Sequence, residues 1–88
     1  MKIKVLDYSL INKSKLNEKI IFDVKIIENE NDLLVNKRFS TDNGDLSFKV
    51  LSVGHINPPI ENFYPITIEI EGDHKLEKFK NHIFTDIN

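Results

Sequence analysis

His55, His74 and His82 are the side chains of this 88-residue chain best suited to metal binding or proton transfer. No two of them stand two to four residues apart, which is the spacing at which local ligands hold zinc. The five serines lack the Gly-x-Ser-x-Gly context of an activated nucleophile, and no carboxylates form a recognisable pocket motif. We therefore expect surface or partly buried histidines, in a protein that is not an enzyme and uses no metal or cofactor.

An acidic segment at residues 28–32, Glu-Asn-Glu-Asn-Asp, offers several oxygen ligands for calcium. It lacks the Asp-x-Asp/Asn-x-Asp/Asn-Gly frame and the closing glutamate of an EF-hand loop, and strand-like segments flank it. Residues of these types also hydrogen-bond their own backbone in turns. The segment is therefore predicted to be a turn that joins two strands.

An aromatic pair, Phe63 and Tyr64, stands between Asn62 and Pro65 in a segment that holds all three prolines of the chain. The segment shows no alternation and predicts a long, stiff loop, since proline fixes φ and donates no backbone hydrogen bond. Neighbouring residues of an extended chain point to opposite sides, so one ring should be exposed. Counting back from an inward Ile66 across Pro65, we expect Phe63 inside and Tyr64 in solvent.

These four residues are the predicted partner-binding site: Asn62, Phe63, Tyr64 and Pro65. An exposed aromatic beside a stiff loop favours a protein-binding hot spot. A stacking platform for single-stranded nucleic acid is a second interpretation, although few cations accompany the rings. In a third, Phe63 closes the end of a barrel, Tyr64 lies flat over the sheet, and the segment is structural.

The composition indicates which kinds of partner this protein can bind and in which cell compartment we expect it. The net charge is −2 with a pI of about 5.9 and one arginine, which argues against duplex nucleic acid because phosphate binding requires clustered Lys and Arg. Residues 1–27 carry six lysines against three carboxylates, and the rest of the chain is acidic. Cysteine is absent, and the N-terminal residues alternate charged and apolar types instead of forming a secretory signal or membrane span. We expect a cytoplasmic protein that does not bind membranes.

The strongest turn signal is Asn43-Gly44, which predicts a β-hairpin with a two-residue type I′ loop. Such a loop places Phe39 opposite Phe48, at the expense of a like-charge pair between Arg38 and Lys49. A shift by one residue would relieve the charges but separate the rings. The aromatic pair is expected to prevail, because exposed like charges are screened.

Apolar alternation predicts further strands at residues 2–11, with a bend at Leu6-Asp7, and at 19–28, 33–39 and 65–72, with a closing edge strand at 82–85. Leu76 and Phe79 are three residues apart and could form one short helical turn. Residues 1–88 are therefore predicted to be a single all-β domain, a small antiparallel barrel of five to six or more strands.

The order of these elements resembles the β-barrel domain that follows the GTPase domain in translational elongation factors, their domain 2. The best-matching pieces are Phe48–Val53, Ile66–Gly72 and Ile83–Thr85, and the resemblance covers nearly the whole chain. It implies a barrel of that type and, by extension, a translation-linked or RNA-binding module.

The residues themselves favour a different function. Small size, acidity and the lack of catalytic residues are typical of a non-catalytic module that binds another protein, and an immunity or antitoxin-type inhibitor is one concrete form. Salt dependence distinguishes the two hypotheses, because RNA binding weakens steeply with salt and an aromatic protein contact hardly changes.

Overall fold

The computed structural model describes residues 1–12, 18–28 and 34–87. Six strands form a closed antiparallel barrel in the order β1-β2-β5-β4-β3-β6, which confirms the predicted all-β barrel. The strands are β1 (Lys2–Asn12), β2 (Glu18–Glu28), β3 (Arg38–Ser40), β4 (Ser47–Val53), β5 (Phe63–Glu71) and β6 (Ile83–Ile87). Among the described residues, the one helical segment is a 3-10 turn at Leu76–Phe79, as expected. The acidic segment predicted to be a turn lies, apart from Glu28, outside the described residues.

The bend predicted in β1 is a β-bulge at Leu6. Val5 pairs with Val24 and Asp7 pairs with Asp23, so Leu6 is the extra, unpaired residue in β1. The neighbouring β2 alternates as predicted, with Phe22 and Val24 fully buried. Its opposite face is exposed at Lys25 and Ile27.

The predicted hairpin is confirmed in its register, and its turn type was wrong. Phe39 pairs with Phe48 in β3 and β4. The turn bond joins the Gly44 N–H to the Thr41 carbonyl at 2.9 Å, and Thr41 N–H bonds Leu46 across a four-residue loop. A type I′ turn requires positive φ at Asn43 and Gly44, but only Gly44, with φ of 76°, has it. The reason is local: Asn43 Oδ1 accepts the Asp45 N–H (3.1 Å) and the Thr41 hydroxyl (2.8 Å), which stabilises a different turn.

The strand that was expected to begin at Leu33 begins at Arg38. Asn36 has a φ of 67°, which interrupts the extended chain, and Lys37 N–H bonds the Leu34 carbonyl in a turn. The Asn36 N–H donates to the Val50 carbonyl, and the Val50 N–H donates to the Lys37 carbonyl. These two backbone hydrogen bonds still join the turn to β4. The result is a short β3 with a side-chain anchor, Leu34, buried in the core.

The last strand was expected at a sheet edge, and this was wrong. β6 pairs with β1 through Ile3–Phe84 and with β3 through Ser40–Thr85, so it closes the barrel. Closure gives both sides of this strand a hydrogen-bonded partner, an arrangement that a pattern of apolar residues cannot reveal.

Five of the six phenylalanines form the centre of the core. Each is fully buried, and neighbouring rings lie with centroids 5.0 to 6.3 Å apart: Phe22, Phe39, Phe48, Phe79 and Phe84. Phe48 contacts the four others, and the 3-10 turn contributes Phe79. The sixth phenylalanine, Phe63, lies outside this cluster.

Candidate functional site

The aromatic pair predicted to lie in a loop is the start of a strand. Phe63, Tyr64 and Pro65 are the first residues of β5 and pair with Lys25, Val24 and Asp23 of β2. The loop is therefore shorter than predicted and ends at Asn62. Pro65 is tolerated within the strand because every second residue directs its N–H away from β2.

The inside and outside assignment of the two rings was also reversed. Tyr64 pairs with the fully buried Val24 and packs against the core, in phase with the buried Ile66. Phe63 pairs with the exposed Lys25 and points to the outside. Strict alternation from the inward Ile66 continues through Pro65, and it places Tyr64 inside and Phe63 outside.

A cleft of about 190 Å³ lies where the loop meets β5. Its walls are mainly apolar and come from Ile56, Pro59, Ile60, Phe63 and Tyr64. Three polar side chains, His55, Glu61 and Asn62, complete the lining. Three of the four predicted site residues therefore lie together here, and Pro65 lies just behind them in β5.

Two backbone features hold the cleft in shape. Asn62 has a φ of 61°, a conformation that Asn adopts more readily than most residues, and its carbonyl accepts the Ile26 N–H at 2.7 Å. Gly54 at the other end of the loop donates its N–H to the Pro65 carbonyl at 2.8 Å. A Cβ on Gly54 would lie 3.2 Å from the Pro65 ring, so any larger residue there would push the ring aside by a few tenths of an ångström. The loop is thus fixed to β2 and β5 at both ends.

The cleft can accept one apolar or aromatic side chain. Its volume is below the range of about 300 Å³ and more that small-molecule sites occupy. Ile60 at its rim is 59% exposed, the highest value among the large apolar side chains of the described residues. The imidazole of His55 and the carboxylate of Glu61 offer polar groups at the same opening. This combination is typical of a shallow protein-binding surface.

A larger, open groove of about 660 Å³ lies between the β3–β4 turn and the 3-10 turn, and no pattern in the sequence predicts it. It brings together His74 and His82, which are eight residues apart in the chain, with Asp42, Asp45 and Lys78. Several of its polar groups already satisfy one another: Asn43 Nδ2 donates to Asp45 Oδ2 at 3.0 Å. Within the part of the chain that the structure describes, no three His, Asp or Glu side chains lie close enough to hold a metal ion.

The charged pairs with shifted pKa values lie away from the cleft. Arg38 and Glu71 form a bidentate pair, and this hydrogen bonding lowers the pKa of Glu71 and raises that of Arg38. Partial burial, and then the charge of Asp7 on the neighbouring strand, raise the pKa of Asp23. These shifts have structural causes and single out no catalytic acid or base.

Comparison of the chain with protein-family models, curated proteins and solved structures finds no match. The described residues contain no helix long and apolar enough to cross a membrane. What the fold and the cleft define is therefore a class: a small closed six-stranded β-barrel with an apolar surface cleft beside its fifth strand.

Proposed function

We propose that this protein is a cytoplasmic, non-catalytic module that binds another protein through the cleft at Phe63. An inhibitor of the immunity or antitoxin type is a concrete form of this function. The observation that carries the proposal is the placement of Phe63: it is the one phenylalanine outside the core, and it lines the cleft.

The energetics support a protein partner. A large ring that is only half buried loses little further freedom on binding and still has apolar surface to remove from water. Ile60 is exposed beside it, and the loop that carries Ile60 is fixed at both ends by backbone hydrogen bonds. An aromatic and an aliphatic side chain on a preformed surface are the features of a binding hot spot.

Capture of partners from a lysate of the native cell tests the proposal, with bound proteins identified by mass spectrometry. Phe63→Ala and Ile60→Asp should each leave the barrel folded, because both side chains lie outside the core, and should weaken capture by about tenfold or more. Ile87→Asp is the matched control: Ile87 is also an exposed isoleucine, at 42%, but lies in β6, which pairs with neither β2 nor β5. Equal capture by the wild type and the two cleft variants would overturn the proposal.

The alternative role as a translation-linked or RNA-binding barrel, which the resemblance to the elongation-factor domain suggests, predicts a different salt response. Binding to RNA should weaken steeply between low and physiological salt, because counterions are released from phosphates. Binding through Phe63 and Ile60 should change little. A steep salt dependence that is insensitive to Phe63→Ala would favour the RNA-binding role.

A further inference from the structure

The first strand has an open edge over half of its length. β1 pairs with β6 only at Lys2, Ile3 and Lys4, and Val5 makes two further backbone bonds on that side. Beyond the bulge at Leu6, β1 is paired with β2 alone, and among the described residues no strand lies on its other side. Residues 7–12 and their partners in β2 therefore form a two-stranded arm with one edge that no strand pairs, although Lys80 Nζ lies 3.8 Å from Asp7 Oδ1 where this edge begins.

The direction of the backbone groups along this edge follows from the pairing of β2. The Ile26 N–H bonds the Asn62 carbonyl, so the backbone N–H and C=O groups of the even-numbered residues of β2 point toward β5. The backbone groups of the odd-numbered residues point toward β1. The β1 residues opposite those odd-numbered residues are Asp7, Ser9 and Ile11. The N–H and C=O groups of Tyr8 and Leu10 consequently point away from β2, toward the open side.

Two contacts agree with this direction. The Tyr8 N–H donates to the carboxylate of the preceding residue, Asp7 Oδ1, at 2.8 Å, so it is not bonded to β2. Leu10 is on the same strand face as Tyr8 and is 52% exposed, although Tyr8 itself packs against the core. The edge thus combines outward backbone groups with an apolar side chain that the barrel does not cover.

We propose that this edge pairs with the same edge of a second copy of the chain, antiparallel, with Ser9 on the two-fold axis. Tyr8 then lies opposite Leu10 of the second copy, and Leu10 opposite its Tyr8. Both are hydrogen-bonded pairs, because these are the residues whose backbone groups face outward. Two arms join into a four-stranded sheet, and the Tyr8 N–H exchanges the Asp7 carboxylate for a backbone carbonyl.

The residues around Ser9 can pair with the same residues of a second copy, which is why the partner strand comes from another copy of this chain. Across a two-fold axis, the segment pairs with the identical segment of the second copy running in the opposite direction. In this register an aromatic ring meets an aliphatic chain twice, and Asp7 lies opposite Ile11, so no like charges face each other. The contact is far smaller than a standard interface, so the dimer is weak and forms at high protein concentration.

Sedimentation velocity over a wide concentration range, together with amide hydrogen exchange, tests the pairing. The wild type should shift from monomer to dimer as concentration rises, with growing protection at the Tyr8 and Leu10 amides. Leu10→Lys should weaken the dimer by about tenfold, since each dimer loses two Tyr8–Leu10 pairs. Leu51→Lys, at another exposed leucine (44%), should leave the dimer unchanged.

A single-cysteine variant gives an independent readout, because the chain has no cysteine of its own. Residues on the axis form a non-hydrogen-bonded pair with Cα atoms about 4.5 Å apart, within the range that a disulfide spans. Ser9→Cys should form a covalent dimer rapidly with oxidised glutathione, whereas Ser52→Cys, at an exposed serine of β4, should not. A monomer at every concentration, or equal crosslinking of the two variants, would overturn the proposal. Protection of the edge only when another protein is added would likewise exclude the second copy.

Discussion

At the scale of single residues, the decisive position is Phe63. Its neighbour Tyr64 faces the core and Phe63 faces outward, although both are aromatic and adjacent. The functional proposal depends on this orientation, because Phe63 lines the cleft with a half-buried ring that lies outside the core. The charged residues affect the stability of the barrel instead. Ion pairs and burial shift their pKa values, and these interactions stabilise or destabilise the folded state.

Asp86 is expected to make the stability of the barrel pH-dependent. Its carboxylate accepts a hydrogen bond from the N-terminal ammonium at 3.0 Å and one from Lys37 at 3.4 Å. The ammonium hydrogen bond, with Lys37 adding to it, lowers the pKa of Asp86 below its ordinary value of 3.8. A lowered pKa in the folded state means that the stabilisation is present above the ordinary value and is lost as pH falls through the folded value.

Asp86→Asn should therefore cost about 1 kcal/mol of unfolding free energy at neutral pH, the scale of a partly exposed charged hydrogen bond. The difference from wild type should disappear at a pH below the folded pKa. Denaturant unfolding at several pH values measures it, with Asp73→Asn, at an exposed carboxylate, as the control. A loss that is the same at every pH would contradict the assignment.

At the scale of elements, the β3–β4 hairpin shows how register and turn type are determined separately. Cross-strand burial of Phe39 against Phe48 decides the register, and the ring centroids lie 5.6 Å apart. The turn conformation depends on local side chains, and Asn43 bonds neighbouring groups instead of adopting positive φ. A dipeptide typical of one turn can therefore occur in another without any change in the pairing.

Gly44→Ala tests this turn. The position has a φ of 76° and nothing lies within 4 Å of an added Cβ, so the expected cost is purely conformational, about 1 kcal/mol. Gly44→Asn should cost less, because Asn tolerates the left-handed region. Denaturant midpoints of the two variants give the comparison. An Ala variant as stable as the parent would show that the turn relaxes to another conformation.

At the scale of the whole molecule, closure through β6 and the phenylalanine cluster make the barrel one cooperative unit. Phe48 contacts rings from β2, β3, β6 and the 3-10 turn, so a single side chain connects most of the elements. A barrel of this size with one shared core is expected to unfold in a single transition.

Phe48→Ala should lower the free energy of unfolding by about 3 to 5 kcal/mol, a large share of the total for a small domain. Phe63→Ala makes a matched control, since it removes the same side chain from outside the core and should cost much less. Thermal and denaturant unfolding measure both. Similar losses for the two variants would mean that Phe63 belongs to the core, and would also undermine the proposed binding surface.

The features that depend on neighbouring residues could be predicted from the amino-acid sequence alone. Alternation predicted the all-β class and the positions of β1 and β2, the break at Leu6-Asp7 predicted the bulge, and the aromatic positions predicted the register of Phe39 with Phe48. Each of these features follows from the conformational preferences of neighbouring residues, and burial of one face of the sheet strengthens those preferences.

Which distant segments meet could not be predicted in this way and is known from the fold. Closure by β6 and the groove lined by both His74 and His82 depend on strands and turns that are far apart in the chain. The start of β5 does so too, because Phe63 pairs with Lys25 of β2. A period-two pattern specifies which residues share a face, but not where a strand begins or which neighbour it pairs with. Those choices follow from closing six strands around one core, where tilt and register of all the strands must agree at once.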